Sequence, residues 1–283
     1  MSHDCLAGLR SLASRGPTCD ERPMQRTCTL LLVVAGCGGN DHAQVDAPVH
    51  SPDAAVDARP IDAPAMRRGL VQLGETTFMA MASSSSTIAF ADGDPMGTTL
   101  ATDGPCASYP TGGGTRYSAG TIDVTGTSQA IAFTPSGTAP AVVYAHTPSP
   151  LPTDLFTASA TLHVTAAGGP GFGAFAGDIT APTTVVFTPP ATLSRAGQTI
   201  SWTAGTGNIV QVALVTSNAL ILCRVPDSGS FAVPASTFAL IPIGDTNGVV
   251  AVARTMEHEL ATTSGPVTLQ ALSAIGGTIT LAP

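Results

Sequence analysis

Turn carboxylates, scattered histidines and cysteines are the side chains of this 283-residue chain that could carry chemistry. Asp92-Gly93-Asp94 and Asp245-Thr246-Asn247-Gly248 place acceptor oxygens in turns, where they could ligate calcium or serve as the paired acids of a glycosidase. Calcium needs several oxygens at about 2.3–2.6 Å, and the two carboxyls of a glycosidase stand about 5–10 Å apart. Asp, Gly and Asn are equally what ordinary β-turns require, so both readings stay open, with Asp92 and Asp94 the acids a hydrolase would use. His146, His163 and His258 show no metal-ligand spacing. Glu257-His258-Glu259-Leu260-Ala261-Thr262 starts like the zinc-binding His-Glu-x-x-His helix but carries Thr262 where the second ligand must be. Without two histidines one helical turn apart zinc is not chelated that way, and the segment reads as a solvated turn.

Other catalytic templates fail on equally local grounds. All 11 basic residues are arginines, which removes the phosphate-binding loop, the kinase strand lysine, the Ser-x-x-Lys nucleophile and every Schiff-base enzyme. Gly171-Phe172-Gly173-Ala174-Phe175-Ala176 has the spacing of a dinucleotide fingerprint, but Gly177-Asp178-Ile179-Thr180-Ala181-Pro182 follows it. That is turn and strand, not the helix whose first amides would hold a pyrophosphate, and a loop between strands fits better. No serine sits in a Gly-x-Ser-x-Gly elbow. A net charge of −8 with no basic stripe repels a phosphate backbone. No cofactor and no nucleic-acid partner is expected.

The N-terminal end carries an address. Met24-Gln25-Arg26-Thr27 precedes the apolar run Cys28-Thr29-Leu30-Leu31-Leu32-Val33-Val34-Ala35-Gly36, which ends at Cys37. A positive segment, a short apolar core and small residues before a processing point make a secretory signal; the run is far short of the roughly twenty residues that span a bilayer. Val34-Ala35-Gly36-Cys37 resembles the lipobox of bacterial lipoproteins. That resemblance implies removal of residues 1–36, lipid on the Cys37 thiol, and Cys37 as the mature N-terminus. Counted from Met1 the positive segment is long and holds Cys5, Cys19, Asp4, Asp20 and Glu21, so translation is expected to begin at Met24. Gly38 follows the cysteine where an aspartate would favour inner-membrane retention, and the resemblance therefore implies the outer membrane or cell surface.

Residues 37–65 read as a lipidated, disordered tether. Asp46, Asp53, Asp57 and Asp62 alternate with Pro48, Pro52, Pro60 and Pro64, and no aromatic interrupts them. Fixed φ and like-charge repulsion extend such a segment to roughly 3 Å per residue, on the order of 80 Å in all. Acidic Asp/Ala/Pro tethers placed directly after a lipobox resemble those of surface lipoproteins from GC-rich bacteria, which implies a location at a membrane held through the lipid and not an activity; an envelope protein or polysaccharide is the expected partner.

The remainder must build a core from strands. It belongs to a chain with 43% hydrophobic residues, 11% charged residues, 30 glycines and 23 prolines, a balance that disfavours long surface helices. Strands are expected at 121–124, 130–133, 141–144, 158–164, 185–187, 199–202, 209–215, 219–224, 249–254 and 267–272, with helices limited to single turns. The fold class is all-β: one or two antiparallel sandwiches, divided near Thr180-Ala181-Pro182 into a β-rich region 66–180 and a region 181–283. Thr199-Ile200-Ser201-Trp202 resembles the tryptophan-bearing strand of immunoglobulin and fibronectin III domains, which implies an immunoglobulin-like sandwich for the second region.

Two pairs of residues remain. Export leaves Cys106 and Cys223 where disulfides persist; a bridge would close a loop of about 117 residues, worth up to about 5 kcal/mol in the chain-entropy account, and two separate thiols are the alternative. Tyr109 and Tyr117 flank Pro110-Thr111-Gly112-Gly113-Gly114-Thr115, where loop aromatics could stack on sugar rings or simply cover the core. The leading functional expectation is a non-catalytic, surface-displayed lipoprotein; a carbohydrate- or calcium-binding module and a secreted hydrolase are the alternatives.

Overall fold

Short segments that alternate polar and apolar residues pair into sheets throughout the computed structural model, which describes residues 66–110 and 116–283. The expected signal, Cys37, the expected tether and positions 111–115 of the loop between the two tyrosines lie outside the described residues. In chain order the elements are β1 (Arg67–Phe78), β2 (Met81–Asp92), β3 (Ala101–Asp103), β4 (Cys106–Tyr109), β5 (Ile122–Thr125), β6 (Ile131–Ser136), β7 (Val143–Thr147), β8 (Thr161–Ala166) and β9 (Phe175–Thr180). There follow β10 (Thr192–Ser194), β11 (Gln198–Ser201), β12 (Ile209–Val215), β13 (Leu220–Val225), β14 (Ser230–Val233), the single turn α1 (Ala235–Phe238), β15 (Asn247–Leu260) and β16 (Val267–Ala282). The fold is all-β. Among the described residues no helix is long and apolar enough to cross a membrane.

A nine-stranded sheet runs β2-β1-β16-β15-β12-β13-β4-β3, with β10 pairing the end of β16; a second sheet runs β7-β6-β5-β8-β9, and β11-β14 form a third. Pairing is antiparallel except that β1 and β10 run parallel to β16. β8 shows how sequence selects face: Leu162, Val164 and Ala166 are buried while Thr161, His163 and Thr165 are exposed, the period of two that puts one side of a strand on a core.

Two cores result, and the long sheet walls both. The first joins Val71, Phe90, Val267 and Leu269 of that sheet to Ile122, Phe133, Leu162 and Phe175 of the five-stranded one. The second joins Val212, Ile221, Val252 and Ile279 to Ile200 and Val233 of the small sheet. Each is a sandwich-like layer pair, and β16 feeds both, with Val267, Leu269 and Ala271 at one end and Ile279 and Leu281 at the other. Residues 167–174 pack rather than hang free: Phe172 is buried and its ring lies 4.8 Å from that of Phe90.

One departure from the sequence reading bears on the site. Glu257–Leu260 is not a turn; β15 continues through Leu260, each residue paired with β16. A fourteen-residue strand forms because every position has a partner on β16, so local polarity does not end it.

The connection from β2 to β3 shapes the long sheet. β2 and β3 occupy its opposite edges. Seven inter-strand gaps of about 4.8 Å would hold them about 34 Å apart in a flat sheet. Asp92 and Ala101 are nine peptide steps apart, at most about 32 Å of fully extended chain. The sheet therefore curls beneath residues 93–100, and its outer face is concave there.

Candidate functional site

Under that connection the outer face carries an ordered row of polar side chains. Odd-numbered residues of β16 face the first core, which leaves Thr268 and Gln270 outward. Register then sets Glu259 beside Thr268 and Glu257 beside Gln270 on one flank, and Leu70 and Gln72 beside the same two residues on the other. Gln72 Nε2 donates to Gln270 Oε1 at 2.9 Å, and Gln270 Nε2 donates to Glu257 Oε1 at 2.6 Å. The second oxygen of Glu257 pairs with the Arg224 guanidinium from β13. Asn208, just before β12, fixes the backbone of Glu257 from both sides: its amide donates to the carbonyl at 2.9 Å and its side-chain oxygen accepts from the N–H at 3.1 Å.

Gln270, Glu257, Arg224, Asn208, Thr268 and Leu70 line a depression of about 470 Å³, with Gln72 bracing Gln270 from beside it. Arg68, Glu259 and Tyr109 stand at its rim, and Asp94, Pro95 and Met96 close it from the crossing connection. The Glu257 side chain is only 14% exposed, and both its oxygens are already tied to protein donors. A proton shuttle must be free to meet the proton it moves; the arrangement is instead suited to donating and accepting hydrogen bonds with a polar ligand.

The structure places the residues singled out in the sequence as follows. Asp94 lines the depression and accepts from the Met96 N–H at 2.9 Å, whereas Asp92 accepts from the Tyr117 hydroxyl at 2.5 Å and faces Arg67 Nε at 3.6 Å. The two aspartates thus do not converge on one cavity. Tyr109 lines the depression; Tyr117 lies beneath the Arg67 guanidinium, 4.3 Å from ring centre to carbon, and the hydrogen bond it makes to Asp92 raises its pKa. Asp245 is buried and accepts from Thr216 Oγ1 at 2.5 Å and from the Asn218 side chain at 2.6 Å. Those donors hold its pKa below the ordinary carboxylate value and make it the clasp of the turn between β12 and β13. His146 bonds the Pro148 carbonyl, His163 pairs with Asp178, and His258 bonds the Asp178 carbonyl. No group of three metal-ligating side chains occurs among the described residues. Cys106 and Cys223 are cross-strand partners on β4 and β13 and are joined by a disulfide.

Sequence reasoning missed the most deeply set ion pair among the described residues. Arg254 on β15 and Asp227 after β13 meet at 2.6 Å, their side chains 3% and 2% exposed. Trp202 Nε1 and the Gly207 N–H also donate to Asp227, and Arg254 reaches the carbonyls of Thr184 and Thr203. Burial alone would raise the pKa of Asp227; the bonds from Arg254 and Trp202 outweigh it and leave the carboxyl below its ordinary value. One signal was present, a lone arginine at the end of the apolar run 249–254 in a chain with few basic residues.

Comparison with known proteins finds no matching family model, no matching curated protein and no matching solved structure.

Proposed function

We propose that the chain is a non-catalytic lipoprotein of the bacterial surface that binds an envelope partner through the concave outer face of its long sheet. The observation that carries the anchor is the order of residues before Cys37: a basic segment, a short apolar run, then Val34-Ala35-Gly36-Cys37. The acidic, proline-punctuated residues 38–65 support a spacer between lipid and body. A disulfide between Cys106 and Cys223 suits an oxidising compartment outside the cytoplasm. Gly38 favours the outer membrane. Binding is supported by the preset polar row Gln270, Glu257 and Arg224, which has hydrogen-bonding capacity left over and lines a cavity.

The test is intact mass and N-terminal peptide analysis of the protein taken from membranes of its native host. Two or three acyl chains on Cys37, with residues 1–36 gone, are the expected result. An unmodified Cys37 on a chain that keeps residues 24–36 overturns the anchor.

A further inference from the structure

We infer that the depression on the outer face is a binding site for a neutral, hydroxyl-rich glycan, with Tyr109 as its stacking residue and Glu257, Gln270 and Arg224 as its hydrogen-bonding floor. The inference deepens the binding role proposed above and does not depend on the lipid anchor.

The chemistry of the lining selects the ligand. Arg68 and Arg224 face Asp94, Glu257 and Glu259, and the charge of Arg224 is already matched by Glu257. That nearly cancelled balance, within a chain of net charge −8, gives no field to draw in a polyanion. A cation is no better served, because the charge of Glu257 is already matched by the Arg224 guanidinium. A purely apolar ligand would strip water from the amides and carboxylates of the floor without replacing those hydrogen bonds.

A pyranose ring matches what is left. Its edges carry hydroxyls that both donate and accept, and its faces carry C–H groups. Each oxygen of Glu257 and Gln270 Oε1 accepts one protein donor and keeps a further lone pair, while Arg224 keeps N–H groups beyond the one given to Glu257. Hydroxyls can therefore extend the network at both kinds of site. Leu70, Pro95, Met96 and the Tyr109 ring supply apolar surface beside it, the amphipathic combination that aromatic side chains offer to partly wet ligands. The cavity of about 470 Å³ lies within the range of small-ligand sites, roughly 300–1,000 Å³. Because protein hydrogen bonds already hold the floor in place, binding orders few side chains.

The experiment applies the purified full-length chain in detergent to a printed glycan array of neutral and acidic members, followed by calorimetric titration of the strongest soluble hit. Binding to one or more neutral glycans is expected, with affinity lowered at least tenfold by Tyr109→Ala and by Glu257→Gln and unchanged by His163→Ala on β8. Arg68→Ala, at an exposed rim position, provides a variant that leaves the fold undisturbed and is expected to lower affinity several-fold at an unchanged melting temperature. No neutral hit, acidic hits alone, or a neutral hit indifferent to all three site variants would each overturn the inference. The mass measurement on Cys37 is independent, so a failed anchor and a failed glycan site are told apart.

Discussion

At the scale of single residues, the buried pair Arg254–Asp227 does the most to fix one arrangement of the loops around the second core. It binds four separate stretches of chain, at 183–184, 202–207, 227 and β15. Space around it is so tight that a Cβ on Gly205 would fall 2.3 Å from the Arg254 guanidinium carbon. Removing one member of such a pair leaves the other charged and buried, which costs about 3–5 kcal/mol. Asp227→Asn is therefore expected to lower unfolding stability by about that amount in urea titrations at neutral pH, whereas Asp123→Asn on the exposed side of β5 shifts it by under about 0.5 kcal/mol. The sign with pH follows from the lowered pKa. A carboxyl whose folded pKa lies below its ordinary value of 3.8 gives stability that is full above that value and lost as the pH falls through the folded one. Wild type should lose this contribution in acid unfolding below about pH 4, and Asp227→Asn should show a shallower acid limb.

At the scale of elements, the disulfide links two strands that local sequence would never bring together. β4 leaves the β2–β3 crossing and pairs with β13, and the bond between Cys106 and Cys223 closes a loop spanning 117 positions. Replacing both cysteines by alanine is expected to cost up to about 5 kcal/mol by the chain-entropy account. Calorimetry should show that loss, and reductant should produce it in the wild-type protein but not in the double variant. Which strands were legible follows the same logic of local against distant cause. β12 alternates Val210, Val212 and Leu214 inward and is read correctly from its period. The β1–β2 hairpin escaped: Ser83-Ser84-Ser85-Ser86 on an edge strand shows no apolar alternation, and its turn uses Met79 and Ala80 at φ 50° and 65° where Gly or Asn would have signalled it. The C-terminal end of β15 escaped for a different reason, because pairing along β16 overrides the polar run from Glu257 to Glu259.

For the whole molecule, sharing β15 and β16 between two cores has a thermodynamic outcome. Neither core can lose its wall without exposing the apolar face of the other, so calorimetry is expected to give one cooperative transition whose van't Hoff and calorimetric enthalpies agree. Two resolved peaks would mean that the layers unfold separately. The depression belongs to this scale as well, which is why the sequence showed only fragments of it. Tyr109 and Asp94 could be flagged from turn and loop composition, but Glu257, Gln270, Arg224 and Asn208 meet only through the strand order β1-β16-β15-β12-β13.

The parallel pairing of β1 with β16 carries one more consequence, which is mechanical. Ten residue pairs, from Gly69 with Val267 to Phe78 with Gly276, join a strand that starts at Arg67 to one that ends at Ala282. A pull that draws Met66 and Pro283 apart loads that ladder along the strands, so its hydrogen bonds resist together in shear and do not peel one at a time. A body hauled by its N-terminal segment against a fixed C-terminal end would meet the resistance of all ten pairs at once.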